Sequence, residues 1–286
     1  MNIYNPYEIT FETQCYENDW EYILKTKYLD RMINNCNFNF SFRQLIINNV
    51  KNRKLVEYYA QKKIKQKKID AYYFVDDYAE EVLNFFDIRL ESFEFGLNYS
   101  APLIGIYLAK TKYLLHFTTD AFMPVKDKNN WIQDACKIFE KDANIVAANP
   151  AWNFKFDEAM REAEGNMTGN FYLGYGFSDQ CFLIRTDDFR AKIYNFTHLS
   201  SERYPKYAGE SFEKRVYSYM RINNKQRITS TKASYIHKDF PRKKLQKKII
   251  LILMKINIYN FICILMCKRN IIKMCKRRLS KIIKDT

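Results

Sequence analysis

The sequence predicts an α/β protein: a mixed, mostly parallel sheet flanked by helices, followed by a basic helical tail. Two observations carry that expectation. Over the first 240 of the 286 residues, apolar runs of strand length alternate with stretches of helical periodicity, and the early runs each finish in small polar or acidic residues. With 47% hydrophobic and 16% aromatic residues, the chain can also bury the large core such a layered fold needs.

Taken in order, Ile9 to Cys15 reads as the first strand, closed by Glu17, Asn18 and Asp19 and followed by a helical pattern through Trp20, Ile23, Leu24 and Leu29. Arg43 to Val50 is a second apolar run ending in Asn48 and Asn49, and a Lys-rich helix follows from Val56 to Lys68. A third run, Ala71 to Val75, ends in Asp76 and Asp77. After a helix around Glu80 to Phe86, Ala101 to Lys110 is helical, with Pro102 tolerated in its first turn. Tyr113 to Phe117 is a buried strand that stops at Thr118, Thr119 and Asp120. Ligands of open α/β sheets sit beyond the carboxyl ends of the strands, so Glu17, Asn49, Asp76 and Asp120 should face one crevice.

The second half opens with a helix, Trp131 to Lys141, and a strand, Asn144 to Ala148. Asn166 to Gly176 reads as an aromatic loop, and Gly165, Gly169, Gly174 and Gly176 are four of the seven glycines, the residue for sharp turns and close approach to a ligand. A strand from Gln180 to Arg185, a helix from Glu210 to Asn223 and a strand from Gln226 to Ile236, ending at His237, complete a domain of residues 1–240.

Charge and cysteines bound the function. Of the net charge of +15, the segment from Arg242 to Thr286 holds fourteen Lys/Arg against Asp285 alone, while the residues before it hold 33 basic and 31 acidic side chains. A nearly neutral body argues against a catalytic surface wrapped around nucleic acid, and no specific nucleic-acid partner is expected. Seven cysteines without a CxxC pair indicate neither a disulfide framework nor a zinc ribbon. Reduced thiols, and the lack of a signal-peptide pattern over Met1 to Glu12, lead to the expectation of a cytoplasmic chain. His116 reads as a core histidine inside its strand, His198 has no companion at metal or triad spacing, and no GxSxG motif supports a hydrolase.

The segment YLLHFTTDAFM, Tyr113 to Met123, resembles the strand and acidic motif of GT-A-type glycosyltransferases, especially the bacterial family 2 enzymes of surface-polysaccharide assembly. Those enzymes carry an Asp-any-Asp motif there, whereas here Thr118 takes the first place and Asp120 alone keeps a carboxylate. The order of the other parts is similar: ETQCYENDW (Glu12 to Trp20), the glycine-bearing YLGYGFSDQ (Tyr172 to Gln180), GESFEKR (Gly209 to Arg215) and the late histidine of YIHKDF (Tyr235 to Phe240). The resemblance spans residues 8 to 240. It implies a GT-A, Rossmann-like fold and transfer of a sugar, by inversion, from a nucleotide-diphosphate donor to a hydroxyl of a surface glycan or lipid-linked acceptor.

The same resemblance assigns roles. Asp120 and His237 would hold Mn²⁺ or Mg²⁺, whose charge stabilises the leaving diphosphate. Thr13, Glu17, Asn49, Asp76, Thr118 and Asp120 would contact the donor, with Asn48 and Asp77 as neighbouring alternatives, and Tyr99 and Ser100 would approach the diphosphate at a helix N-terminus. Glu210, at the apparent start of a helix, is the first candidate for the base that takes the acceptor's proton, and Asp179 is the second. The missing acid at Thr118 leaves open a catalytically silent nucleotide- or glycan-binding module of the same fold.

Residues 241–286 form the tail. Ile249 to Cys267 is apolar apart from Lys255, Asn257 and Asn260, and Ile271 to Ile283 separates apolar from basic positions in an amphipathic pattern. The interrupted apolar stretch fits a segment lying on an anionic membrane surface, on the inner face of the cell membrane, better than one crossing it. Few glycines beside abundant Lys, Asn, Ile and Tyr suggest an AT-rich microbial genome, hence a setting in bacterial lipopolysaccharide or capsule assembly.

Overall fold

A computed structural model of the chain describes residues 6–89, 100–204 and 211–267. Its strands are β1 (Ile9–Cys15), β2 (Phe42–Ile47), β3 (Ala71–Phe74), β4 (Tyr113–Phe117), β5 (Ala121–Phe122), β6 (Ile145–Trp152), β7 (Met167–Thr168), β8 (Phe171–Gly174), β9 (Cys181–Arg185) and β10 (Gln226–His237). They join in one sheet of order β3-β2-β1-β4-β9-β6-β10-β8-β7, with β5 paired to β10. The pairs β3/β2, β2/β1, β1/β4 and β6/β10 are parallel, and β9 runs antiparallel to both β4 and β6. The mixed, mostly parallel expectation holds, because β1, β2, β3, β4, β6 and β10 all point the same way.

Helices cover both faces: α1 (Trp20–Lys25), α2 (Tyr28–Asn35), α3 (Arg53–Lys65), α4 (Val75–Phe86), α5 (Ala101–Leu108), α6 (Trp131–Lys141), α7 (Phe156–Glu162), α8 (Thr186–Arg190), α9 (Phe212–Ile222) and α10 (Lys244–Lys255). A further helix, α11 (Tyr259–Cys267), follows α10 at a bend of 107°. Successive strand residues face opposite layers. Leu45 and Leu115 pack with α1, α2, α3 and α6, whereas their neighbours Ile46 and Leu114 pack with α4, α5 and α9.

Local chemistry explains where elements depart from the sequence pattern. The single helix expected from Trp20 to Leu29 is two, because the Thr26 hydroxyl donates to the Tyr22 carbonyl at 2.5 Å and accepts from the Tyr28 N–H at 3.0 Å, closing one helix and starting the next. Helix α4 begins directly after β3, so Asp76 and Asp77 stand in a helical first turn rather than in a loop. The expected loop at Asn166 to Gly176 contains a hairpin, β7/β8, turned at Gly169 (φ 56°) and added to the edge of β10.

One buried polar row crosses three neighbouring parallel strands. Gln44, Glu12 and His116 are register partners on β2, β1 and β4. Glu12 accepts from Gln44 Nε2 at 2.6 Å and pairs with His116 Nδ1 at 2.8 Å, and Gln44 also donates to the Gly105 carbonyl at 2.9 Å. His116 stacks on Phe182 at 4.7 Å, which makes it the core histidine expected. Such a row survives burial only with its members paired. Helix α5 comes this close because residue 105 is glycine: a Cβ there would lie 1.8 Å from Glu12 Oε2. Gly105→Ala should therefore destabilise the protein by about 3 kcal/mol, measured by urea denaturation, and Glu12→Ala/Gly105→Ala should lose less than the two single losses combined. Strict additivity would mean that the two groups do not share that space.

Candidate active site at the carboxyl edge of the sheet

Because six strands point one way, the segments leaving β1, β2, β3, β4, β6 and β10 gather at one edge. The reversed β9 brings its amino end, Asp179 and Gln180, to the same edge. At the end of β4, the Thr118 N–H donates to the Gln180 carbonyl at 2.9 Å, and β5 then pairs Ala121 with His237 of β10. That two-residue strand is what makes Asp120 and His237 meet. His237 Nε2 lies 3.4 Å from Asp120 Oδ1 and 4.0 Å from Asp239 Oδ1, and one ligand atom from each of the three side chains lies within 4.8 Å of the others. Thr118 Oγ1 donates to Asp120 Oδ1 at 3.1 Å, and Asn153 Oδ1 accepts from the His237 N–H at 3.0 Å.

Burial pushes the Asp120 carboxyl up, but the hydrogen bond and positive charge of His237 outweigh it and hold the group below the usual carboxylate range. For His237, burial works downward, and the bond and charge of Asp120 together with Asp239 carry it above the ordinary imidazole value. Two carboxylates and an imidazole at these separations, with Asp239 exposed, form an oxygen-rich donor set open on one side. Behind them Asp19, buried at the start of α1, accepts from the Tyr16 N–H at 2.7 Å. Burial raises its carboxyl well above the usual range against the bonds from Tyr16 and Thr119, and the charge of Asp120 adds to the rise.

A second acidic pair stands beside this cluster. Ser211 caps α9, its hydroxyl accepting from the Lys214 N–H at 3.3 Å, so Glu213 falls in the first helical turn. There Glu213 Oε1 accepts from the Asp179 N–H at 2.8 Å, and the two carboxyl groups hydrogen-bond each other. Burial raises both. Glu213 rises further through the charge of Asp179, whereas Asp179 is restrained by its bond from Glu213 and by His116 and His237. The two carboxyls therefore titrate as a pair that keeps a proton to higher pH than an isolated carboxyl would.

No protein-family model matches the sequence, and no curated protein does. Among solved structures, the chain is similar to a mannosyltransferase from Pyrobaculum calidifontis in complex with GDP-Man and Mn²⁺, with a TM-score of 0.50 at 13% identity over 89% of this chain and 63% of that one. The chain has the GT-A fold. A second similar structure is S. aureus TarS 1-349 in complex with UDP-GlcNAc, with a TM-score of 0.47 at 8% identity over 82% of this chain and 60% of that one. The chain spans less than two thirds of the length of either.

Within this GT-A fold, Thr118, Asp120, His237 and Asp179 come together at the edge. The other expected donor contacts are strung along it towards β3. Thr13 is buried in β1, its hydroxyl without a hydrogen-bond partner among the described residues. Glu17 Oε2 accepts from the Lys51 N–H at 2.9 Å, tying the loops after β1 and β2. Asn49 is exposed in the left-handed region (φ 44°), Asp76 is exposed on α4, and its neighbour Asp77 is paired with Arg53. Glu210 and Tyr99 lie outside the described residues. Sequence reasoning missed Glu213 and Asp239. Ser211 before Phe212 was the capping signal for the first, and alternate positions 237 and 239 at the end of a strand were the signal for the second.

The carboxyl pair has a consequence for stability. A carboxyl whose pKa is raised on folding binds its proton more tightly in the folded protein, so stability falls as pH rises from its unfolded value, about 4.3 for Glu, through the folded one. Glu213→Gln should then be more stable than the unsubstituted protein at pH 8, with the difference shrinking towards pH 4 in thermal melts. A difference that is the same at both pH values would contradict the shared-proton description.

Proposed function

We propose that the protein is a glycosyltransferase that moves a sugar from a nucleoside-diphosphate donor to an acceptor hydroxyl. The observation that carries this reading is the meeting of Asp120, His237 and Asp239 beside the Asp179–Glu213 pair, at the edge where open α/β sheets bind nucleotides. Mn²⁺ or Mg²⁺ suits the donor set, with Asp120 and His237 as ligands and Asp239 within reach. When bound, such an ion supplies the positive charge that a departing diphosphate needs.

The chain's own residues account for the rest. Thr118, in place of a second acid, orients the Asp120 carboxylate through its hydroxyl. Glu17, Asn49 and Asp76 offer acceptors for base and ribose along the edge, and Thr13 lies under it. Asp179 takes the proton of the acceptor hydroxyl as its oxygen bonds to the sugar's anomeric carbon and the bond to the diphosphate breaks, a single displacement that inverts the anomeric centre. The Glu213 carboxyl keeps Asp179 in place by hydrogen bonding. The loop that carries Asp179 is also held: Tyr204 Oη donates to the Phe177 carbonyl at 2.7 Å and accepts its N–H at 2.9 Å. A hydroxyl of a surface glycan or a lipid-linked acceptor, with a hexose as the transferred sugar, is the substrate class that the family 2 resemblance favours.

The test is release of free nucleoside diphosphate from a panel of UDP- and GDP-sugars with Mn²⁺, alongside thermal stabilisation by each donor. One donor should stabilise the protein and be turned over. Asp120→Ala should abolish metal-dependent stabilisation, and Asp179→Asn should keep donor binding while lowering turnover by about 10²–10⁴-fold. Stabilisation without release, with any acceptor offered, would favour the silent binding module that Thr118 allows. Indifference to every nucleotide sugar would remove the proposal.

A further inference from the structure

Helices α10 and α11 dock on the body by one face. Met254, Tyr259 and Cys263 are buried, Tyr259 packs against Tyr28 and Phe122, Lys247 pairs with Glu21 at 3.2 Å, and Arg31 donates to the Met254 carbonyl at 3.3 Å. The opposite face is apolar and open. Leu245, Ile249, Ile252 and Ile256, at i, i+4, i+7 and i+11, form one stripe along α10 that is 49–71% exposed, and Phe261 and Leu265 extend it onto α11 at 60% and 45%. Of seventeen exposed large hydrophobic residues among those described, eight lie between Leu245 and Met266. So dense a patch marks a contact surface rather than ordinary scatter.

One border of the ridge is basic. Lys244, Lys248 and Lys255 share a side of α10 by their spacing, and Lys255 is also part of the wall of a cavity of about 630 Å³ beside α1, α2 and α3. Lys25, Lys27, Lys62, Lys63 and Lys68 line that cavity against a single acid, Asp30, which Lys63 bonds at 3.0 Å. A ridge of aliphatic side chains bordered by a lysine-lined hollow matches the boundary of a bilayer, where acyl chains give way to phosphates.

We propose that α10 and α11 seat the protein on an anionic lipid bilayer, the apolar ridge entering the headgroup–acyl boundary and the lysine cavity taking a lipid phosphate. Length sets the mode of contact. At 1.5 Å per residue the two helices are about 18 and about 14 Å long, each short of a hydrocarbon core of about 30 Å; together they are long and apolar enough to cross one, but the 107° bend between them does not make a straight span. Charge selects the partner. The fourteen Lys/Arg and one acid from Arg242 onward would repel a second copy of the same tail and attract an anionic leaflet. A nucleic acid would satisfy the lysines but leave the ridge in water. The inference stands on the ridge and the cavity, independently of the sugar-transfer reading, and its readout is lipid binding.

The experiment sediments the full chain with vesicles of phosphatidylcholine, alone or mixed with phosphatidylglycerol. Comparison proteins are Ile252→Glu/Phe261→Glu and Lys62→Glu/Lys68→Glu, whose substitutions sit in the exposed ridge and in the cavity wall, with thermal melts to verify that both are folded. The unsubstituted chain should bind the anionic vesicles about tenfold more tightly than the neutral ones, and each variant should lose about tenfold on anionic vesicles. Equal binding by the ridge variant, as basic residues alone would give, overturns the proposal. So does a lipid-free dimer in sedimentation velocity that the ridge substitutions dissociate, or vesicle binding that a nucleic acid displaces equally from the chain and its ridge variant.

Discussion

The reversal of β9 is the constraint on which the rest of the site depends. Strand β4 has parallel β1 on one side and antiparallel β9 on the other, and β9 in turn lies antiparallel to β6. Because β9 runs against its neighbours, the residues that enter it share an edge with the residues that leave β4 and β10. Had β9 run with them, Asp179 would sit at the far end of a five-residue strand, about 17 Å away. The reversal instead gathers one acidic group from each of two loops, and the short pairing of β5 with β10 adds the histidine. The chemistry proposed for the edge follows from strand direction before it follows from any single residue.

A rigid platform underlies that edge. The Gln44–Glu12–His116 row ties the neighbouring strands β2, β1 and β4, and it does so against helix α5 at a point where only glycine leaves room. A buried carboxylate with two partners resists displacement of β1 relative to β4, because any slip would leave it unpaired in a medium of low dielectric. Near Asp179, Tyr204 grips the backbone of Phe177, and the Glu162–Arg227 ion pair ties α7 to β10.

Much of the fold was legible in the sequence wherever an element is buried and uninterrupted. Ile9–Cys15, Tyr113–Phe117 and Trp131–Lys141 have the same bounds in pattern and structure, because apolar spacing and burial coincide there. The pattern failed where a side chain overrode it. A hydroxyl at Thr26 split one helix into two, and a turn at Gly169 made a hairpin from what reads as a loop. At the site, Asp120, His237 and Asp179 were visible as polar residues at strand ends. Glu213 was not, because Glu210 reads as the start of that helix, ahead of the Ser211 cap, and Asp239 was overshadowed by His237 two residues earlier in the same YIHKDF segment. The Asp179–Glu213 partnership could not be read at all, since it joins residues 34 apart through the direction of a strand.

The proposed site for a divalent ion and a diphosphate is the edge formed by β4 and β10. The most direct measurement is an anomalous-scattering map from crystals of the full chain grown with Mn²⁺ and either UDP or GDP. A manganese peak should appear coordinated by Asp120 and His237, with the nucleoside diphosphate extending from it towards the ends of β1 and β2. Density for the nucleotide elsewhere, or manganese bound away from this edge, would contradict it.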